Sequence, residues 1–142
     1  GATRATCEWL VFLDGDDEMH PKRLEITEKV IKSYRSTELI LNGHSQRMTT
    51  IGDDIPITMG DRLLAAERRG YITSPIQPPG VIGVHHGHPA VKRDLWKVHQ
   101  YGARKREQDA EFLHRVMRSF KGDHTKCMLI NLPLSVYIQR RQ

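Results

Sequence analysis

Two cysteines in 142 residues, Cys7 and Cys127, leave no CxxC pair and no disulfide framework. Both stand in apolar, strand-like surroundings, so two buried free thiols in a reducing compartment are expected. Aromatic residues are scarce as well, at 6%. The interleaved aromatic and basic pattern of single-strand nucleic-acid binders is missing, and no helix-turn-helix or zinc-finger spacing replaces it. No apolar run approaches the roughly 18 residues of a membrane span. No basic start followed by an apolar stretch marks a signal peptide. Internal repeats and low-complexity tracts are absent too. The length suits one globular domain, on a prior of roughly 100–200 residues each.

Charge is what the chain has in excess. Lys plus Arg number 22 against 17 for Asp plus Glu, a formal net charge of +5. Such a balance favours anionic partners. The charges are also sorted. Lys92, Arg93, Lys97, Arg104, Lys105 and Arg106 share one stretch, while Asp14, Asp16, Asp17 and Glu18 share another. Separate clusters can hold a cation and an anion together; a basic run is otherwise a solvated face.

The order of elements reads as α/β. Trp9 to Leu13 is a continuous apolar run, expected as a buried strand of the parallel-sheet type. Pro21 opens a helix whose apolar side is read as Leu24, Val30, Ile31 and Tyr34. Glu38 to Asn42 reads as a second strand, and Thr49 to Ile57 as a loop or hairpin tip. A short helix is expected over Thr58 to Arg69, an irregular connection over Tyr71 to Gly80, and a short strand over Val81 to Val84. Phe112, Leu113, Val116, Met117 and Phe120 recur at helical spacing, which predicts a helix from Gln108. Cys127 to Leu132 and Ser135 to Ile138 read as closing strands.

The chemistry gathers where the first strand ends, at Asp14-Gly15-Asp16-Asp17. Ligands of open α/β sheets bind at that edge. Neighbouring carboxylates repel, so a cation or a proton is needed to hold them together. Mg²⁺ or Mn²⁺ bridging to a diphosphate suits such a group. A plain turn, with Asp17 capping the following helix, is the structural alternative. A calcium loop is excluded because Met19 stands where glycine is needed. A haloacid-dehalogenase-like phosphatase would want a small hydroxyl residue soon after the acids, and Glu18, Met19 and His20 follow instead.

Residues Gly1 to Asp17 (GATRATCEWLVFLDGDD) resemble the central segment of family 2 glycosyltransferases, in which a small-residue helix and a strand lead to a DxD or DxDD motif. Cys7 stands where that family usually has glycine. Gly87-His88-Pro89-Ala90-Val91-Lys92-Arg93 resembles its acceptor-side strand, Tyr101-Gly102 its following turn in altered order, and Gln108-Asp109 its Glu-Asp or Gln-Asp motif at a helix start. Asn131 to Leu134 with Tyr137 resembles the closing strand.

The resemblance implies a GT-A (Rossmann-like) fold, a mixed sheet flanked by helices. It implies an inverting transfer from a nucleotide-sugar donor to a glycan, lipid-linked or other hydroxyl acceptor, as in polysaccharide biosynthesis. Asp14 would contact the donor ribose, Asp16 would hold Mn²⁺ or Mg²⁺ with Asp17 beside it, and Arg93, with Lys92, would face the diphosphate. Asp109 would be the catalytic base. His86, His88 and Trp96 are the candidate acceptor contacts, with Tyr101 a further aromatic that can stack on a sugar. No nucleic acid is implied. A cytoplasmic location, with peripheral association at the inner face of the membrane, is expected. A family member carries a further strand–helix–strand unit before the segment starting at Gly1, so residues 1–142 are expected to be one partial domain. Its donor and metal side would be 1–44 and its acceptor side 45–142. Two other readings are a non-catalytic basic module for nucleic acid or acidic glycan, and a Mg²⁺-dependent phosphatase-like enzyme.

Overall fold

A computed structural model describes residues 2–50, 72–75, 87–102 and 108–141. Its centre is a parallel pair, β3 (Leu39–Thr50) and β6 (Cys127–Arg141). Around this pair stand β1 (Trp9–Val11), β2 (Glu18–Met19), β4 (Ile72–Pro75) and β5 (Ala90–Lys92). The order is β1-β5-β3-β6-β2, with β4 also on β6. Every pairing other than β3–β6 is antiparallel. The described residues also form three α-helices, α1 (Arg23–Ser33), α2 (Arg93–His99) and α3 (Gln108–Ser119), and two 3-10 turns, Ala2–Arg4 and His124–Lys126.

The run Leu39-Ile40-Leu41 shows why the central strand is apolar on both sides. Leu39 and Leu41 join one buried cluster with Phe112, Leu113, Val116 and Met117 of α3. Ile40 joins the other, with Ile26 and Val30 of α1. Alternate residues of a strand face opposite ways, so a sheet covered on both faces needs apolar residues at every position. Each such side chain stabilises the fold by about 1.5–3 kcal/mol on burial. The stripe on α3 is the one its spacing predicts.

The stripe on α1 matches only in part, at Val30 and at Ile31, which packs partly buried against the same cluster. Arg23, Ile26, Thr27 and Val30 are its buried residues, at the i, i+3, i+4, i+7 spacing of one face. Leu24 lies off that stripe and Tyr34 past the end of the helix, and both are exposed. Arg23 is taken inside instead, where its Nη2 donates to the carbonyl of His88 at 2.6 Å. Burial lowers its pKa to about 10.

Further expectations change on folding. The first strand is shorter than Trp9 to Leu13 and pairs antiparallel, with β5; only Leu10 in it is fully buried. Cys7 is exposed, while Cys127 is buried. Ile72–Pro75, expected to be irregular, is a strand because β6 offers it a partner. The two closing strands are one, and β3 runs on to Thr50. The parallel register slips between Asn42 and His44, where Gly43 stands opposite Pro133. Proline has no ladder donor, so an irregularity there accommodates it. The expected helix at 58–69 and strand at 81–84 lie outside the described residues. No described helix is long and apolar enough to cross a membrane.

Candidate active site

The acidic turn leaves β1 through Phe12, whose N–H still bonds the carbonyl of Pro89 at 2.9 Å. Asp17 N–H then closes the turn onto the carbonyl of Asp14 at 3.1 Å. The three carboxylates meet different surroundings. Asp14 is 52% exposed and Asp16 is exposed, but the Asp17 side chain is 1% exposed. One Asp17 oxygen, Oδ1, accepts the N–H of Ile138 at 2.9 Å. The other, Oδ2, lies 2.8 Å from Nε2 of the fully buried His88. That approach is short, yet its direction does not meet hydrogen-bond geometry. The two atoms face each other at this distance with both side chains out of solvent.

Asp14 completes a group of three. Its Oδ2 is 4.0 Å from His88 Nε2, and one ligand atom each from Asp14, Asp17 and His88 lie within 4.8 Å of one another. Two carboxylate oxygens and an imidazole nitrogen are a donor set suited to Mn²⁺ or another first-row cation. Gly87 keeps Asp14 in place by lacking a side chain. A Cβ there would overlap Oδ2 of Asp14 and come within 3.0 Å of its Cγ.

Beside this group opens a cavity of about 400 Å³, lined by Phe12, Leu13, Asp14, Gly87, Tyr101, Gln108 and Asp109. Asp14 thus shares one cavity with Asp109, which stands in the first turn of α3. Tyr101 lines the same cavity. Its ring is edge-on to Phe12 at 5.5 Å and tilted against Phe112 at 4.9 Å. Burial raises the pKa of its phenol, and the charges of Asp109 and then Asp14 raise it further. Arg115 holds the preceding chain, donating from Nη2 to the carbonyls of His99 and Gln100 at 2.9 and 2.6 Å.

No family model matches the sequence, and no curated protein matches it. Among solved structures the chain is similar to S. aureus TarS 1–349 in complex with UDP, at 12% identity and a TM-score of 0.63. That likeness covers 97% of this chain and 38% of TarS 1–349. A second crystal structure of TarS 1–349 is similar at 10% identity and a TM-score of 0.59, covering 96% of this chain and 37% of that one. TarS is a glycosyltransferase.

The fold is glycosyltransferase-like.

Within this glycosyltransferase-like fold the residues singled out in the sequence separate. Asp14 and Asp109 come together at the cavity. Asp17 and His88 come together beneath the acidic turn, His88 being buried rather than presented to an acceptor. Asp16 is exposed beside them and is not one of the group of three. Trp96 is 7% exposed and belongs to the core with Leu10 and Val91, not to the cavity wall. Nη1 of Arg93 donates to the carbonyl of Ala5 at 3.2 Å, and Lys92 reaches Glu8 at 3.8 Å. Lys92 instead lines a separate cavity of about 320 Å³ with Trp9, Lys32 and Arg35. His86 lies outside the described residues.

Three polar residues escaped the sequence reading: Arg23, Asn42 and Ser135, all buried. Asn42 stands at the end of one expected strand and Ser135 at the start of another, where polar residues are ordinary. A buried polar group implies a partner, but the sequence does not name it.

Proposed function

We propose that the chain carries the metal and acceptor side of an inverting glycosyltransferase that uses a nucleoside diphosphate sugar. The observation that carries this reading is the shared cavity of Asp14 and Asp109 in a glycosyltransferase-like fold. TarS bound to UDP supports a donor of the nucleoside diphosphate class.

Asp14, Asp17 and His88 fit a divalent cation by donor type and spacing. Asp16, exposed on the same turn, is a further carboxylate within the motif. A bound Mn²⁺ or Mg²⁺ would supply electrostatic stabilisation of the diphosphate as it leaves. The chain's own residues do the rest. Asp109 accepts the proton of an acceptor hydroxyl. The hydroxyl oxygen bonds to the anomeric carbon on the face opposite the diphosphate, whose bond to that carbon breaks. The configuration inverts, the proton rests on Asp109, and the electron pair leaves with the diphosphate. Tyr101, between Phe12 and Phe112, offers a ring against which an acceptor sugar can lie. The acceptor is a hydroxyl compound of the glycan or lipid-linked class.

Asp109→Asn tests this directly. It is expected to stop transfer while leaving Mn²⁺-dependent binding of the nucleoside diphosphate intact. Full transfer by that variant would remove Asp109 from the mechanism. Asp16→Asn, at an exposed position, is expected to leave the melting temperature of the free protein unchanged and to reduce the stabilisation by Mn²⁺ plus nucleoside diphosphate.

A further inference from the structure

Behind the acidic turn runs a buried polar chain whose far members, Asn42 and Ser135, have no part in the transfer chemistry. Asn42 Nδ2 lies 3.2 Å from Ser135 Oγ, to which it donates, and 2.8 Å from the carbonyl of Gly43. Ser135 Oγ is 2.8 Å from His88 Nδ1. His88 Nε2 is 2.8 Å from Asp17 Oδ2. Asn42, Ser135 and His88 are all buried, on β3, on β6 and just ahead of β5. We propose that Ser135, supported by Asn42, is the positioning residue of the cation site, holding the His88 imidazole so that Nε2 faces Asp17 and Asp14. This rests on the reading of the acidic turn as a site for a divalent cation.

Three observations give Ser135 that role. First, it is rigid. Its backbone stands in register with Met19 of β2 on one side and His44 of β3 on the other. A hydroxyl fixed between two paired strands has little freedom, which suits a group that must orient another. Second, the register slip between Asn42 and His44 sets both polar side chains where they meet. An unbroken ladder would continue the residue-for-residue pairing that ends at Asn42 opposite Ile130. Third, the His88 main chain is tied separately, its carbonyl by Arg23 at 2.6 Å. With the backbone held, the ring's remaining freedom is rotation, and the Nδ1 contact with Ser135 restrains it.

The chemistry of a hydroxyl also fits. Ser135 Oγ can donate to Nδ1 or accept from Nδ1–H. When Nδ1 carries the proton, the Nε2 lone pair faces the carboxylates and can bind a cation. An imidazole ligand whose other nitrogen is hydrogen-bonded is the usual arrangement around protein-bound metals, and loss of that partner costs about 10- to 100-fold in affinity.

The test is Mn²⁺ binding, read from the loss of the free-ion electron paramagnetic resonance signal, with circular dichroism and a melting curve for each protein. Ser135→Ala is expected to weaken Mn²⁺ binding about 10- to 100-fold while remaining folded. Ser135→Thr, which keeps the hydroxyl, is expected to recover most of that affinity. A folded Ser135→Ala with wild-type Mn²⁺ affinity overturns the proposal, even if its melting temperature falls, because a purely structural role predicts that outcome. If Ser135→Ala does not fold, Asn42→Ala takes its place. It removes the support one step away, and wild-type affinity in that variant overturns the proposal equally. Wild-type protein that binds no Mn²⁺ overturns the cation reading itself, a result distinct from unchanged binding in the variants.

Discussion

Asp17 and His88, 71 positions apart in the chain, meet 2.8 Å from each other with both side chains out of solvent. This contact, with the Ile138 N–H on the other Asp17 oxygen, fastens the acidic turn to β6 and to the segment before β5. Of the three aspartates, the turn thus spends one on its own anchorage. Asp14 and Asp16 remain open to solvent, and Asp14 lines the cavity.

Replacing that anchor is expected to be costly. Asp17→Ala leaves the Ile138 N–H without this acceptor and removes the nearer of the two carboxylates beside the His88 imidazole. Losing one partner of a buried polar pair costs about 2–5 kcal/mol. Urea unfolding followed by circular dichroism measures it. A loss below about 0.5 kcal/mol, the range of ordinary surface substitutions, would show that the contact carries no stability.

Gly87→Ala separates stability from function. The added methyl meets Asp14, whose half-exposed carboxylate can swing away. The melting temperature should therefore change little. Mn²⁺-dependent binding of the nucleoside diphosphate should fall by about 10-fold, as for a disturbed ligand geometry. Calorimetric titration of the variant against wild type reads the difference, and equal affinities would dismiss the close packing as incidental.

The two thiols should behave differently. Cys7 is exposed and should react with a thiol reagent in the native protein; Cys127 should react only on unfolding. Burial pushes the Cys127 thiol up to about 12 from 9.0. The sign follows from linkage. The folded state keeps the proton longer, so this contribution is complete below pH 9 and is lost as pH rises from 9 toward 12. Its slope approaches about 1.4 kcal/mol per pH unit within that window. Cys127→Ala should remove this part of the alkaline loss, measured as the difference between the two denaturation profiles.

How far the sequence reaches can be seen at α3 and at α1. On α3 the apolar residues recur at helical spacing and the helix buries that stripe. On α1 the same reading pointed to Leu24, Val30, Ile31 and Tyr34; Val30 is buried, but Leu24 and Tyr34 are exposed and the buried face also holds Arg23 and Thr27. Periodicity assumes that the inward side is the apolar one. Arg23 breaks the assumption because the His88 carbonyl, 65 residues away, accepts its hydrogen bond. Trp96 shows the same limit from the other side: an aromatic that can stack on a sugar is equally a core residue, and the cluster with Leu10 and Val91 settles its place.

The sequence by itself determined the alternation of strands and helices, the delivery of three aspartates at the end of the first strand, and the placement of Asp109 in the first turn of a helix. These depend on neighbours a few residues apart, where spacing alone says which side chains share a face. Tertiary structure alone decided that Asp14 and Asp109 line one cavity, that Asp17 turns inward to His88, and that Ser135 and Asn42 stand behind it. Those meetings join residues dozens of positions apart through a sheet whose register slips at Gly43 and Pro133. No local pattern encodes them, because what fixes each polar side chain is the need to satisfy its neighbour once both are buried.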